Sequence, residues 1–172
     1  MISQVAKQTD ASEHGALGEL YIRHAPEGIR LAYLLTGDRA LAEDLVQEAF
    51  ARFVGRLHYL RDPDAFGSYL RRTIVNLSRS HFRHAKVERA YIERLAGTPA
   101  PRGGSIEELD EAMHEALLSL PQRQRAAIVL RFYEDLTDGQ TAEVMRCRPG
   151  TVRSLVSRGM TTLRSELGRS AT

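Results

Sequence analysis

TDGQTAEVMRCRPGTVRSLVSR, running from Thr137 to Arg158, carries the sharpest local pattern in the chain. Thr137 offers a capping hydroxyl, and Ala142, Val144 and Met145 are spaced to turn inward from a short helix. Cys147-Arg148-Pro149 interrupts the pattern, and a second apolar series follows through Val152, Val156, Met160 and Leu163. The spacing predicts helices over Thr137–Arg146 and from Gly150 to about Leu167 with a tight turn between them. That is helix-turn-helix spacing. The second helix carries Thr151, Arg153, Ser154, Ser157 and Arg158 near its N-terminal end, the end that meets the major groove in such motifs. Helical hairpins inside bundles share this spacing, so DNA recognition and bundle packing both remain open on this segment alone.

The chain upstream is helical as well. Ser105-Ile106-Glu107-Glu108 has the capping-box pattern and opens an apolar stripe of Leu109, Ala112, Ala116 and Leu117. Pro121 ends that helix and starts another, with Ala126, Val129, Leu130 and Tyr133 expected inward. TPAPRGG, Thr98 to Gly104, has no apolar period and reads as a flexible linker. Before it, Asp62-Pro63 forms an N-cap with proline at the first helical position, and Phe66, Leu70, Thr73, Ile74 and Leu77 follow as an inward stripe. Asp38 caps a long helix with Leu41, Leu45, Ala49, Phe53 and Leu57 on one side and Glu43, Asp44, Gln47 and Glu48 on another. Thr36-Gly37 is a helix stop. Leu17, Leu20 and Tyr21 start a first helix, and Pro26 is expected to begin a separate segment. No period-2 strand appears. The fold class is therefore all-α, with two small helical domains at residues 12–96 and 105–168 joined by a linker at 97–104.

Charge placement says more than charge total. The 172 residues hold 24 Lys+Arg against 22 Asp+Glu, and only Lys7 and Lys86 are lysines. Arginine's planar fork suits phosphate and guanine edges. Arg71, Arg72, Arg79, Arg83 and Lys86 fall between Ser68 and Val87 with no acid among them. Arg146, Arg148, Arg153, Arg158 and Arg164 do the same between Met145 and Ser165. Glu107, Glu108, Asp110, Glu111 and Glu115 form an acidic stretch between the two. Two basic blocks fit one nucleic-acid ligand, or else solvated helix faces. A single cysteine, Cys147, excludes an internal disulfide and zinc-ligand spacing. No apolar run approaches a membrane span, and MISQVAKQTDASEHG has no signal-peptide core. His81 and His84 lack a third ligand, and no nucleotide-binding or nucleophile-elbow motif is present.

Two blocks resemble a known family. LYIRHAPEGIRLAYLLTGDRALAEDLVQEAFARFV and FGSYLRRTIVNLSRSHFR look like region 2 of extracytoplasmic-function (ECF) sigma factors, and LLSLPQRQRAAIVLRFYEDLTDGQTAEVMRCRPGTVRSLVSRGMTTLR looks like region 4. The likeness covers about Leu17 to Leu167 and is nearest the actinobacterial SigE-type branch. It implies a non-enzymatic promoter-specificity subunit that needs no cofactor and inserts in no membrane. Such a subunit acts in the cytoplasm on core RNA polymerase (its β′ coiled coil and β flap) and on promoter DNA, with an anti-sigma factor as a candidate further partner. Asp44, Gln47 and Glu48 match the polymerase-binding D-x-x-Q-E stretch. Asn76 matches the asparagine of the −10 recognition helix, and the loop Leu57–Pro63 the position that cups a flipped base. Arg71, Arg72, Arg79 and Arg83 would hold strand phosphates, with Tyr69, His81 and Phe82 available for stacking. Arg153, Ser154, Ser157 and Arg158 match the positions facing the −35 element. Thr151 would anchor a phosphate, and Arg131 would touch the DNA backbone. The departures are Gly139 inside a helix, Gln140-Thr141 for the commoner Glu-Ile, Leu155 for a frequent arginine, and Arg146 where many relatives have a turn glycine.

Two other classes compete: a helix-turn-helix regulator working without polymerase, and a helical interaction module that never touches DNA. Neither needs both the Asp44-Gln47-Glu48 face and an arginine-lined helix in the first domain.

Overall fold

The computed structural model describes residues 2–54, 64–92 and 111–170. Seven α-helices follow one another there: α1 (Ile2–Thr36), α2 (Arg39–Val54), α3 (Asp64–Ile92), α4 (Glu111–Ser119), α5 (Gln122–Ile128), α6 (Asp138–Met145) and α7 (Pro149–Ser170). No strand occurs among the described residues. The expected linker 97–104, the Leu57–Pro63 loop, the Asp62-Pro63 cap and the Ser105–Glu108 capping box lie outside the described residues, as does Leu109.

The first half is a three-helix unit, α1 to α3. Gly37 ends α1 at φ +72°, with its N–H on the Tyr33 carbonyl at 2.7 Å. Asp38 then caps α2, its Oδ1 accepting from the Leu41 N–H at 3.0 Å. Leu45, Val46, Ala49, Phe50 and Phe53 of α2 meet Phe66, Leu70, Ile74 and Leu77 of α3 in the core. Phe66 is the hub, with ring centroids 4.6 Å from Phe53 and 5.1 Å from Phe50. One expectation is corrected here: Pro26 does not start a new segment but sits inside α1. The amide it removes would have reached the Ile22 carbonyl, and both residues are exposed, so that carbonyl is open to solvent.

The second half is α4 to α7. Pro121 caps α5, as the sequence indicates, but α5 passes directly into one π-helical turn, Val129–Tyr133. Its signature is the Glu134 N–H on the Val129 carbonyl at 3.1 Å, a five-residue step. The wider turn corrects a second expectation. Val129 and Leu130 are buried, but Tyr133 is rotated outward and 40% exposed beside Phe132.

Thr137 forms a full capping box with Gln140 at the start of α6. The Gln140 found where Glu is commoner thus performs the same reciprocal bond. Helix α6 ends in a Schellman turn: the Cys147 N–H reaches the Ala142 carbonyl at 2.9 Å and Arg146 sits at φ +52°. A side chain in that left-handed conformation costs about 1–2 kcal/mol. Glycine would relieve it while adding about 0.5–1 kcal/mol of unfolded-state entropy. Arg146→Gly is therefore expected to stabilise the protein slightly, by about 0.5–1 kcal/mol, seen as a small rise in melting temperature by circular dichroism.

The two halves share one apolar core, which runs from the α1–α3 side chains into Ala126, Ala127, Val129, Leu130, Val144 and Met145. A smaller core joins Ala116, Leu117, Leu120, Ile128 and Leu163. There α7 crosses α5 at Gly159, where a Cβ would lie 2.6 Å from Ile128 Cδ1. Arg125 fastens the junction. It is 7% exposed and donates to the Leu35 carbonyl at 2.6 Å and to the Leu118 and Leu120 carbonyls at 2.8 and 3.1 Å. Two helix C-termini, those of α1 and α4, thus converge on one guanidinium, where their dipoles favour a cation. Beside it His114 stacks flat on Tyr33, centroids 4.6 Å apart. Burial first, then the Arg125 charge, lowers the His114 pKa and favours the neutral ring.

Candidate nucleic-acid and polymerase interfaces

Three helix surfaces carry the residues singled out from the sequence. On α2, Asp44, Gln47 and Glu48 are all exposed, while Leu45, Val46 and Ala49 between and beside them are buried. The three- and four-residue spacing puts the polar trio on one face. Glu48 pairs with Arg52 at 2.6 Å on the open surface, a contact weak enough to be exchanged for an intermolecular one.

On α3 the picture is mixed. Arg72, Arg79 and Arg83 are exposed. Tyr69 is half-buried with its ring 5.3 Å from that of Phe53, so much of it belongs to the core. His81 is exposed and Phe82 half-buried, and the Phe82 ring lies under the Arg125 guanidinium at 5.6 Å. Asn76 is half-buried. With Val75, Ser78 and Arg79 it lines a shallow cleft whose other wall is Gln122, Arg123, Ala126 and Met145. Arg71 is half-buried and its Nε is 2.5 Å from Glu134 Oε2 of the second half.

On α7, Arg153, Ser154, Ser157 and Arg158 are exposed along the first turns, and Val152 beneath them is fully buried. The Ser154 hydroxyl donates to the Gly150 carbonyl at 3.0 Å, which leaves its lone pairs facing outward. Thr151 is half-buried at the helix start, its N–H on the Arg148 carbonyl at 2.9 Å. Arg131 is employed inside the protein. It bonds Asp138 Oδ1 at 2.8 Å and the Leu136 carbonyl, and so fixes the loop that leads into α6.

A sigma-70 region 2 family model matches residues 20–87, and a sigma-70 region 4 model matches residues 110–163. The ECF RNA polymerase sigma factor SigE of Mycolicibacterium smegmatis is 35% identical over 158 residues, covering 88% of this chain and 61% of that one. The chain belongs to the extracytoplasmic-function sigma factors. The RNA polymerase sigma-E factor of Streptomyces coelicolor is 32% identical over 151 residues, covering 87% of this sigma factor and 85% of that protein. Among solved structures, the sigma factor RpoE of Bartonella quintana, in complex with the anti-sigma factor NepR, shares the fold. Its TM-score is 0.70 at 22% identity, over 88% of this chain and 96% of that one. The family assignment makes the protein an alternative sigma factor that directs transcription initiation. It also accounts for two basic helices in one chain, a feature that the rival classes do not require.

Among the described residues of this sigma factor, no helix is long and apolar enough to cross a membrane, and no cluster of three metal-ligating side chains exists. Sequence reasoning missed Glu134 and Arg125 as residues that join the second half to α3 and α1. Their partners, Arg71 and the Leu35 carbonyl, are 63 and 90 positions away, and no local period records such pairs.

Proposed function

We propose that this sigma factor divides its work among the three surfaces. Helix α2 presents Asp44, Gln47 and Glu48 to the β′ coiled coil of core RNA polymerase. Helix α3 takes the unpaired −10 strand: Asn76, whose amide both donates and accepts, reads a base edge, Arg71, Arg72, Arg79 and Arg83 hold phosphates, and Tyr69 offers a ring edge for stacking. Helix α7 reads −35 duplex. There Arg153 meets a base, Ser154 and Ser157 lie alongside it, Arg158 and Thr151 hold phosphates, and Arg131 keeps the motif in position near the backbone. The functional units correspond to residues 12–96 and 105–168. The second also meets the β flap, and neither has catalytic residues of its own. The polymerase and its template place the work in the cytoplasm. An anti-sigma factor is a further partner, as it is for the Bartonella relative. The reading is carried by the α2 surface: an exposed acid–amide trio backed by core side chains, which a regulator working without polymerase would not need.

The base-reading assignment has a direct test. Holoenzyme carrying Arg153→Ala is expected to lose about 1–3 kcal/mol of discrimination at one −35 base pair. Arg158→Ala is expected instead to weaken all promoters alike and lower the salt slope by about one ion. Affinities across a panel of single-base promoter variants at several salt concentrations separate the two. An unaltered preference with Arg153→Ala transfers base reading to another residue.

A further inference from the structure

We propose that Asp138 is a positioning residue for −35 reading, acting through Arg131 and touching no DNA itself. The inference rests on the reading of α7 as the helix that enters the −35 duplex. Helix α7 takes its place in the second half by packing. It crosses α5 at Gly159, close beside Ile128 and Gln124, and buries Val152 and Leu163. Helix α6 packs on α7 and α3 but only lightly on α5 and the π-helical turn. It is eight residues long. Its bearing relative to α5 therefore depends on how its N-terminal end is tied down.

That end is tied down step by step. Asp135 turns the chain at φ +49°, a left-handed conformation that Asp tolerates better than most side chains. The Leu136 N–H then returns to the Leu130 carbonyl at 3.1 Å. Arg131 Nη1 donates to the Leu136 carbonyl, so Leu136 is held by both of its backbone groups. The Nε of the same guanidinium donates to Asp138 Oδ1 at 2.8 Å. Asp138 is the first residue of α6 after the Thr137 cap. One planar fork thus joins the π-helical turn to the loop and to the start of the helix, a span that a single ammonium does not match. The pair is 29% and 33% exposed, so each partner is screened from bulk water over most of its surface. It also lies wholly within the second half, independent of any contact with α1 to α3. With two arms of the fork on protein acceptors, a phosphate would have to displace Asp138 to take the usual paired grip. In helix-turn-helix docking the first helix crosses the DNA backbone while the second lies in the groove. A tilt of α6 would therefore lose contacts along the whole motif.

The test uses holoenzyme made with the full chain, at a start site mapped by run-off transcription. Affinity is measured for that promoter and for a copy with its −35 element scrambled. The ratio of the two reports −35 reading, because a loss of folding or of polymerase assembly lowers both alike. Asp138→Asn is expected to lower the ratio about five-fold, and Arg131→Gln, which loses both bonds, about ten-fold. The double variant is expected to fall no further than Arg131→Gln alone, since the two residues act as one unit. It also keeps the parent's net charge, so its salt slope is expected to equal the parent's. Asp138→Glu, which keeps the carboxylate, is expected to stay within about two-fold of the parent. An unchanged or higher ratio with Asp138→Asn overturns the proposal, the higher one because Asp138 would then be masking a phosphate-binding arginine. A salt slope lower by about one in the double variant overturns it too, since Arg131 would then be a phosphate contact. So do additive losses, or Asp138→Glu as weak as Asp138→Asn. If the parent holoenzyme itself binds both promoters equally, it is the −35 reading of α7 that falls. If the parent discriminates and the variants discriminate as well as it does, only the positioning role falls.

Discussion

Charge reversal at Asp44 is expected to reduce capture of core RNA polymerase by about 100-fold or more. The residue is exposed on α2, and its neighbours Leu45 and Val46 form the core, so Asp44→Arg changes the surface and leaves the packing intact. If the opposing polymerase surface is rich in arginine, as the family resemblance implies, the substitution replaces an attraction with a like-charge contact, which costs several kcal/mol. About 100-fold corresponds to about 2.7 kcal/mol, well inside that range. Competition binding against unlabelled chain gives the affinity, and a thermal melt checks that the fold is kept. Asp44→Asn is expected to fall between the two, since it removes the charge but keeps the shape. Unchanged affinity in the arginine variant would remove the α2 surface from the polymerase interface and reopen the case for a regulator that acts alone.

The second large effect is on stability. Arg125→Leu strips donors from the Leu35, Leu118 and Leu120 carbonyls at once. A buried carbonyl left without a partner costs about 1–3 kcal/mol, and some of that is recovered if water enters. The net loss expected is about 3–5 kcal/mol, a large share of the roughly 5–15 kcal/mol that folded proteins possess. At about 2–4 °C per kcal/mol for a chain of this size, the melting temperature should fall by about 10 °C. Arg125→Lys should recover only part of this, because an ammonium cannot span three carbonyls as a planar fork does. A fall of less than about 1 kcal/mol in either variant would mean that the clasp contributes little.

Local features were legible in the sequence because local spacing encodes them. The Thr137 cap, the Asp38 cap and the Gly37 stop each depend on residues within one helical turn, and each is found. The inward stripe of α3 was equally plain, since Phe66, Leu70, Ile74 and Leu77 follow one helical period into one core. Pro26 misled because proline's cost in a helix depends on whether water can reach the carbonyl it strands, and exposure is a property of the tertiary fold. Tyr133 misled because a π-helical turn breaks the 3.6-residue period from which its direction was inferred. The candidate site was half legible for the same reason. The α2 trio and the α7 quartet lie where periodicity puts them. The covering of Arg71 and Asn76 by the second half comes from contacts more than forty positions apart, which no window of sequence contains.

The π-helical turn has one more effect. Each residue of a helix advances the chain by about 100° around the axis, and Val129–Tyr133 accommodates one residue more than an ordinary turn of the same height. A chain shortened by one residue there would keep every helix, every cap and every charge, yet would send α6 and α7 off at a different azimuth. The wide turn is the indexing notch of the molecule: it sets the compass bearing of the last two helices relative to everything before them.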